Sequence, residues 1–303
     1  MDKLIKGLLA DSTVNFYAIN APELVERARL THKTSPVCTA ALGRALMAAS
    51  ILGAMQKVPD AEVSLIFRGG GPAGNIVCVG RQDGSVKGLI ANPAVDLPAN
   101  ENGKLPVGEA VGKNGTLTVI TDLRMKEAYT GQSALVSGEI AEDIAAYFAN
   151  SQQQPSAVFL GVHMNSTGVT SACGLIVQAM PGCSDEVLEK VEKRMYSAQE
   201  MPNLISEAGM SLEQVIDWLF SDLSPRIIEE TTPLLHCDCN RERLERALLG
   251  MGDTELLKMA DEQNGATLLC HFCNTEYSFT KDELTVLAAA AKAAQTERKD
   301  AHA

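Results

Sequence analysis

The chain has 303 residues, 46% of them hydrophobic, enough for a sizeable core and for more than one domain. Its 38 acidic and 26 basic residues give a formal net charge of -12. That sign opposes counterion-driven binding to nucleic acid and adhesion to an anionic membrane, so neither partner is expected.

The opening residues, Met1-Asp2-Lys3-Leu4-Ile5-Lys6, lack the features of a secretory signal, which points to the cytoplasm. Val14 to Ile19 reads as a strand. Ser35-Pro36 starts a helix that runs to about Gln56. The apolar stretch Val37 to Met55 within it is long enough to cross a membrane. Arg44 sits near its middle, however, and Gly43 and Gly53 interrupt it, so a buried alanine-rich core helix is expected. Val63 to Phe67 is a strand that leads into the glycine-rich run Gly69 to Gly74. No Lys-Ser or Lys-Thr pair follows that run, so it reads as a tight turn rather than a phosphate loop. Ile76 to Gly80 and Val86 to Ile90 flank Asp83-Gly84, a hairpin signal. Asn114-Gly115 turns into a strand over Thr116 to Thr121. A helix from Ala141 to Asn150 carries Ile144, Tyr147 and Phe148 on one face. Strands follow near Ala157 to His163 and Val169 to Met180. Hairpins outnumber βαβ units, so the fold class is α+β with mainly antiparallel sheets.

After Pro181-Gly182 the character changes. Ser184 and Ser211 are placed to cap helices, the second holding Trp218, Leu219 and Phe220. Between Ser184 and Thr232 there are 11 acidic and 4 basic residues, a net of -7. The expected organisation is an α+β core over residues 1–182 and an acidic helical linker over 183–232. A cysteine-bearing module follows over 233–287, then a frayed alanine-rich tail over 288–303.

Eight cysteines without an export signal suggest metal or redox chemistry rather than structural disulfides. Cys38 in the long helix, and Cys78 and Cys173 in apolar strands, read as small buried hydrophobes. Cys183 follows a turn and has no obvious partner. The strong signal is Cys237-Asp238-Cys239, then 30 residues, then Cys270-His271-Phe272-Cys273. Two close pairs separated by a supersecondary unit suit one tetrahedral zinc ion with Cys237, Cys239, Cys270 and Cys273 as ligands. His236 and His271 are rival ligands, but four sulfurs already complete a shell. Such a site can be a permanent staple that folds a small module. It can also be a sensor, because each thiolate has a neighbour able to resolve its sulfenic acid into a disulfide, and a disulfide does not hold zinc as two thiolates do. Tyr277 and Phe279, just beyond the second pair, are candidates to pack beneath the site. No catalytic motif is visible, so no enzyme activity is expected.

The segment Cys237-Asp238-Cys239-Asn240-Arg241-Glu242-Arg243 and the segment Cys270-His271-Phe272-Cys273-Asn274 with Tyr277 and Phe279-Thr280 resemble motifs of the thirty-three-kilodalton heat-shock protein family. Those proteins are redox-regulated holdase chaperones of bacteria. Ala41-Leu42-Gly43-Arg44, Gly69-Gly70-Gly71-Pro72, Asn114-Gly115-Thr116-Leu117 and Gln178-Ala179-Met180-Pro181-Gly182 extend the likeness over about residues 1 to 287. The resemblance implies one zinc ion per chain in an inactive reduced state. It implies that oxidation forms Cys237–Cys239 and Cys270–Cys273 disulfides with loss of zinc and of linker structure. The active form, a homodimer in this family, then holds unfolding clients without ATP. Where clients bind is not implied. Two other readings remain at this stage, a thiol-disulfide oxidoreductase acting through Cys270-x-x-Cys273 and a zinc-ribbon interaction module.

Overall fold

The computed structural model describes residues 1–101 and 103–300, with side chains as far as Ala293. The chain divides into two compact units at His236/Cys237. In chain order the first unit holds β1 (Lys3–Leu9), β2 (Val14–Asn20), α1 (Pro22–His32), α2 (Pro36–Ala54), β3 (Glu62–Arg68), β4 (Ile76–Arg81) and β5 (Val86–Ile90). It continues through α3 (Val107–Val111), β6 (Thr116–Asp122), β7 (Tyr129–Ala134), α4 (Ala141–Ser151), β8 (Ser156–Asn165) and β9 (Gly168–Ala179). It ends with α5 (Asp185–Ser197), α6 (Met201–Ser206), α7 (Leu212–Phe220) and β10 (Arg226–Thr231). The second unit holds α8 (Arg241–Leu249), α9 (Asp253–Glu262), β11 (Gly265–Leu269), β12 (Glu276–Thr280) and α10 (Lys281–Asp300).

Two five-stranded sheets form the first unit, in the orders β10-β1-β2-β9-β8 and β5-β4-β3-β6-β7. The strand pairings within both sheets are antiparallel, which makes the fold α+β as expected. Between the sheets runs α2. Ser35 starts it by accepting a hydrogen bond from the Cys38 amide, and Pro36 occupies the first turn. It packs on β3, β4 and β5 of one sheet and on β2, β8 and β9 of the other. All of its residues except Pro36 and Arg44 are buried, so the apolar run that is long enough to cross a membrane is a core helix here. Arg44 donates to the Glu139 carboxylate at 2.8 Å and to its carbonyl at 3.2 Å. Burial pushes the Glu139 carboxyl up, but its bonds with Arg44 and the Gly108 amide outweigh burial and hold it below the usual range. The glycine-rich run forms a turn before β4, not a helix start. Gly71 faces the Ala110 carbonyl so closely that a Cβ would lie 2.4 Å from it, and Gly70 and Gly74 have φ of 75° and 70°.

Strand alternation buries both faces of the first sheet. Leu4, Tyr17, Ile19 and Ile176 point toward α2. Ile5, Phe16, Leu175 and Val177 point the other way and are covered by Val191 of α5 and by Leu212, Val215, Ile216, Leu219 and Phe220 of α7. The caps expected at Ser184 and Ser211 are present, the second as a full capping box with Gln214. The expected linker is therefore a packed layer that also contributes β10, paired with β1 at the sheet edge.

The tail corrects one expectation. Residues beyond Leu287 continue α10 as far as Asp300 instead of fraying, with Ala288 and Ala291 buried beside Leu248 and Leu284. Alanine is the strongest helix former, and three-residue spacing puts these two on one face. The last three positions of the expected tail, 301–303, lie outside the described residues.

Candidate metal centre

The first cysteine pair lies in the irregular stretch before α8. Asn240 ends that stretch, its side-chain oxygen accepting from the Arg243 amide at 2.8 Å. The Arg243 guanidinium turns back to Asp238 at 2.5 Å, which ties the residue between the two cysteines to the helix after them. The second pair occupies the turn of the β11–β12 hairpin. Cys270 donates its amide to the Thr275 carbonyl at 3.0 Å, and the amides of Cys273 and Asn274 return to the Cys270 carbonyl at 3.3 and 2.7 Å. Asn274 adopts φ 55°, a left-handed conformation that asparagine tolerates better than most residues. Arg241 joins the two halves. Its guanidinium lies 4.3 Å above the buried Phe279 ring, donates to the Ser278 carbonyl at 2.9 Å and pairs with Glu283 at 2.6 Å.

These elements bring the four thiols together. The sulfurs of Cys237, Cys239, Cys270 and Cys273 all lie within 4.8 Å of one another. The Cys237–Cys270 separation is 3.7 Å and the Cys239–Cys273 separation 3.2 Å. Four sulfurs placed about 2.3 Å from a central zinc ion would be separated by about 3.8 Å. All four are free thiols and partly buried. Among the described residues this is the one cluster of three or more cysteine, histidine or acidic side chains close enough to share an ion, and neither His236 nor His271 belongs to it.

The electrostatics also fit a cation. Burial pushes the Cys237 thiol well above its ordinary range, although the Cys239 amide donates to its sulfur. Burial raises Cys239 as well, against the pull of the Tyr277 hydroxyl. At Cys273 burial acts upward, but the Thr275 hydroxyl and amide and the neighbouring thiols bring the value down to about 7. Cys273 thus gives up its proton readily while Cys237 and Cys239 hold theirs, chiefly because burial disfavours their charged forms and then because neighbouring thiolates repel. A soft divalent cation relieves that repulsion, and a set of four sulfurs suits zinc.

Two hydroxyls escaped the sequence reading. Tyr277, expected to pack beneath the site, also brings its Oη to 3.3 Å from the Cys239 sulfur. Thr275 Oγ1 is 3.2 Å from the Cys273 sulfur. Their positions two and four residues after Cys273 were visible, but only the hairpin turns them onto the sulfurs.

The Cys270-x-x-Cys273 motif occupies a hairpin turn rather than a helix N-terminus, where a thiol oxidoreductase places its reactive pair. Cys38, Cys78 and Cys173 are buried as expected, and Cys183 is partly exposed. Burial pushes the Cys38 thiol upward, Cys173 up to about 12 and Cys78 further still. Iodoacetamide at neutral pH is expected to leave these three unmodified in the native protein while Cys183 reacts. Peptide mass spectrometry checks this, and native labelling of Cys78 would contradict it.

Fold and site together define an α+β protein whose smaller unit is organised around a four-thiol centre of the metal-binding type. By sequence the chain belongs to the Hsp33 protein family, whose model matches residues 2–280. It is 45% identical over 285 residues to the 33 kDa chaperonin of Clostridium perfringens, covering 93% of this chain and 89% of that one. It is 40% identical over 285 residues to the 33 kDa chaperonin of Bacillus subtilis, covering 94% and 97%. The crystal structure of a 33 kDa chaperonin from Thermotoga maritima, a heat shock protein 33 homologue, matches with a TM-score of 0.86 at 34% identity, covering 95% of this chain and 97% of the other. The resemblance carried by the cysteine motifs is borne out, and the family is one of chaperones.

Proposed function

We propose that this protein is a cytoplasmic, ATP-independent holdase chaperone that oxidation switches on. The observation that carries the reading is the convergence of four free sulfurs within 4.8 Å, two from each sequence pair. Cys237, Cys239, Cys270 and Cys273 hold one zinc ion per chain in the reduced state, and the ion supplies the positive charge that keeps four thiolates together. Hydrogen peroxide converts a thiolate to a sulfenic acid, and the other cysteine of the pair attacks it. The products are Cys237–Cys239 and Cys270–Cys273 disulfides, which no longer hold the ion.

The chain entering the site runs directly from residues 232–236. There the Val86 amide donates to the Leu234 carbonyl at 2.8 Å and the His236 amide to the Val86 carbonyl at 2.9 Å. Unfolding of the cysteine module frees the far end of that segment, and the 183–232 layer loosens with it. Within that layer α5 is lightly held, burying only Val191 of its 13 residues, while α7 packs through Leu212, Val215, Ile216, Leu219 and Phe220. Its departure bares Ile5, Phe16, Leu175 and Val177, together with its own apolar face, beside a run of net charge -7. Exposed apolar surface captures unfolded or partly folded clients, and the charge keeps the complex soluble. The active form is a homodimer, and neither nucleic acid nor membrane is a partner.

The test pairs two measurements. Reduced protein is expected to hold one zinc per chain and to leave aggregation of a thermally unfolding client unchanged. After peroxide with mild heat, loss of zinc and suppression of aggregation are expected to appear together. Suppression by the reduced, metal-loaded form would sink the proposal. So would catalytic turnover of small disulfides by that form, or salt-sensitive nucleic-acid binding.

A further inference from the structure

Each cysteine pair presents one sulfur to a side-chain hydroxyl. Tyr277 Oη lies 3.3 Å from Cys239 Sγ and donates to the Cys239 carbonyl oxygen at 3.2 Å. In the protonated site the Cys273 thiol donates to Thr275 Oγ1 at 3.2 Å. The hairpin sets both positions. Tyr277 and Phe279 share a face of β12, and burial of Phe279 beneath Arg241 fixes which face that is. Thr275 is held by its carbonyl, which accepts from the Cys270 amide at 3.0 Å. Neither hydroxyl depends on the other for its placement.

A ligand thiolate carries no proton, so in the metal-loaded site the O–H is the donor and the sulfur the acceptor. Hydrogen bonds to ionised acceptors are stronger than neutral ones, which favours the sulfur of Cys239 over its carbonyl as the partner of Tyr277. Donation draws electron density from the sulfur lone pair, the same pair that attacks an oxidant. Hydrogen bonds to ligand atoms are a general means of tuning metal sites.

We infer that Tyr277 and Thr275 are positioning residues whose hydroxyls donate to the Cys239 and Cys273 thiolates and slow their oxidation, setting the peroxide level at which the switch responds. This rests on the proposal that the four thiolates hold zinc and sense oxidant. In the step concerned, the thiolate sulfur attacks one oxygen of hydrogen peroxide. An S–O bond forms, the O–O bond breaks and hydroxide departs, leaving a sulfenic acid. The second thiolate of the pair then attacks that sulfur, an S–S bond forms and a second hydroxide departs. Two electrons pass from the sulfur pair to one peroxide, and the hydroxyl of Tyr277 or Thr275 opposes the first attack without being consumed.

The test uses the reduced, zinc-loaded full chain and follows zinc release with a colorimetric indicator under excess hydrogen peroxide. Tyr277→Phe and Thr275→Val each remove one hydroxyl, while Thr275→Ser retains it. Release is expected to speed up roughly threefold for each hydroxyl removed and to stay at the wild-type rate in Thr275→Ser. Zinc content and the rate of loss to a chelator without oxidant are expected to stay unchanged, a combination that a merely structural role would not produce. Unchanged or slower release in both Tyr277→Phe and Thr275→Val overturns the inference. Faster release from Thr275→Ser overturns it, as does accelerated loss to chelator alone in the hydroxyl-deleted variants. A wild-type chain that holds no zinc overturns the proposed function instead, so the two failures are distinct.

Discussion

Stripping zinc from the reduced protein with a chelator, or replacing Cys239 by serine, is expected to unfold the unit that begins at Cys237 and to loosen the 183–232 layer, while the two-sheet core over residues 1–182 stays folded. Among the described residues seven form the buried core of the smaller unit, Leu248, Leu256, Ala260, Phe279, Leu284, Ala288 and Ala291, with partly buried side chains such as Leu244, Met259 and Leu268 packed at its edge. Three of these seven are alanines, which contribute little apolar area. The remaining four large side chains are few for a unit of this size, and small domains depend on metals or disulfides for that reason. Binding of a structural zinc is worth about 10–16 kcal/mol, as large as the whole stability of an ordinary domain. The first unit has its own larger cores on both faces of a sheet and around α2. In an amide NMR spectrum, the signals of the smaller unit are expected to collapse into the random-coil region while those of residues 1–182 keep their dispersion. Retained dispersion for Leu256 and Phe279 in the metal-free reduced protein would refute the prediction.

The second large effect is steric. Gly80 of β4 lies against the backbone of α2, and a Cβ built there would sit 1.8 Å from the Ala49 carbonyl oxygen. The neighbouring contact is reciprocal, since a Cβ on Gly53 of α2 would meet the Arg81 carbonyl at 2.4 Å. Helix and strand therefore touch backbone to backbone, and no side chain can rotate away to make room. Gly80→Ala must push α2 off the second sheet and open voids beside buried neighbours such as Leu46, Cys78 and Ile51. A destabilisation of about 3–5 kcal/mol or failure to fold is expected, the upper range for single substitutions. Chemical denaturation of the variant checks this, and a loss below about 1 kcal/mol would show that the helix can shift freely.

Much of this molecule is legible from local chemistry. Ser35-Pro36, Ser184 and Ser211 announce their helices because a capping oxygen acts within three residues of itself. Asp83-Gly84 announces the β4–β5 hairpin for a similarly local reason. Other elements carry no such signal. α1 starts after Ala21, which supplies no side-chain cap, so Pro22 alone marks its first turn, and β10, Arg226–Thr231, mixes three charges with two isoleucines and is held at the edge of β1. Edge pairing is a bond to a residue more than 200 positions away, and no window of sequence contains it.

The same boundary runs through the site. Spacing and residue type by themselves singled out the four cysteines that the fold brings within 4.8 Å of one another, and they also determined that α2 would be core. Only the tertiary structure decided that the helices expected over 183–232 lie as a layer on a sheet, that α10 continues past Leu287, and that Tyr277 and Thr275 reach the sulfurs. Each of those outcomes depends on a distance between residues set by packing and strand register, which act across the fold and leave no mark in the local order of side chains.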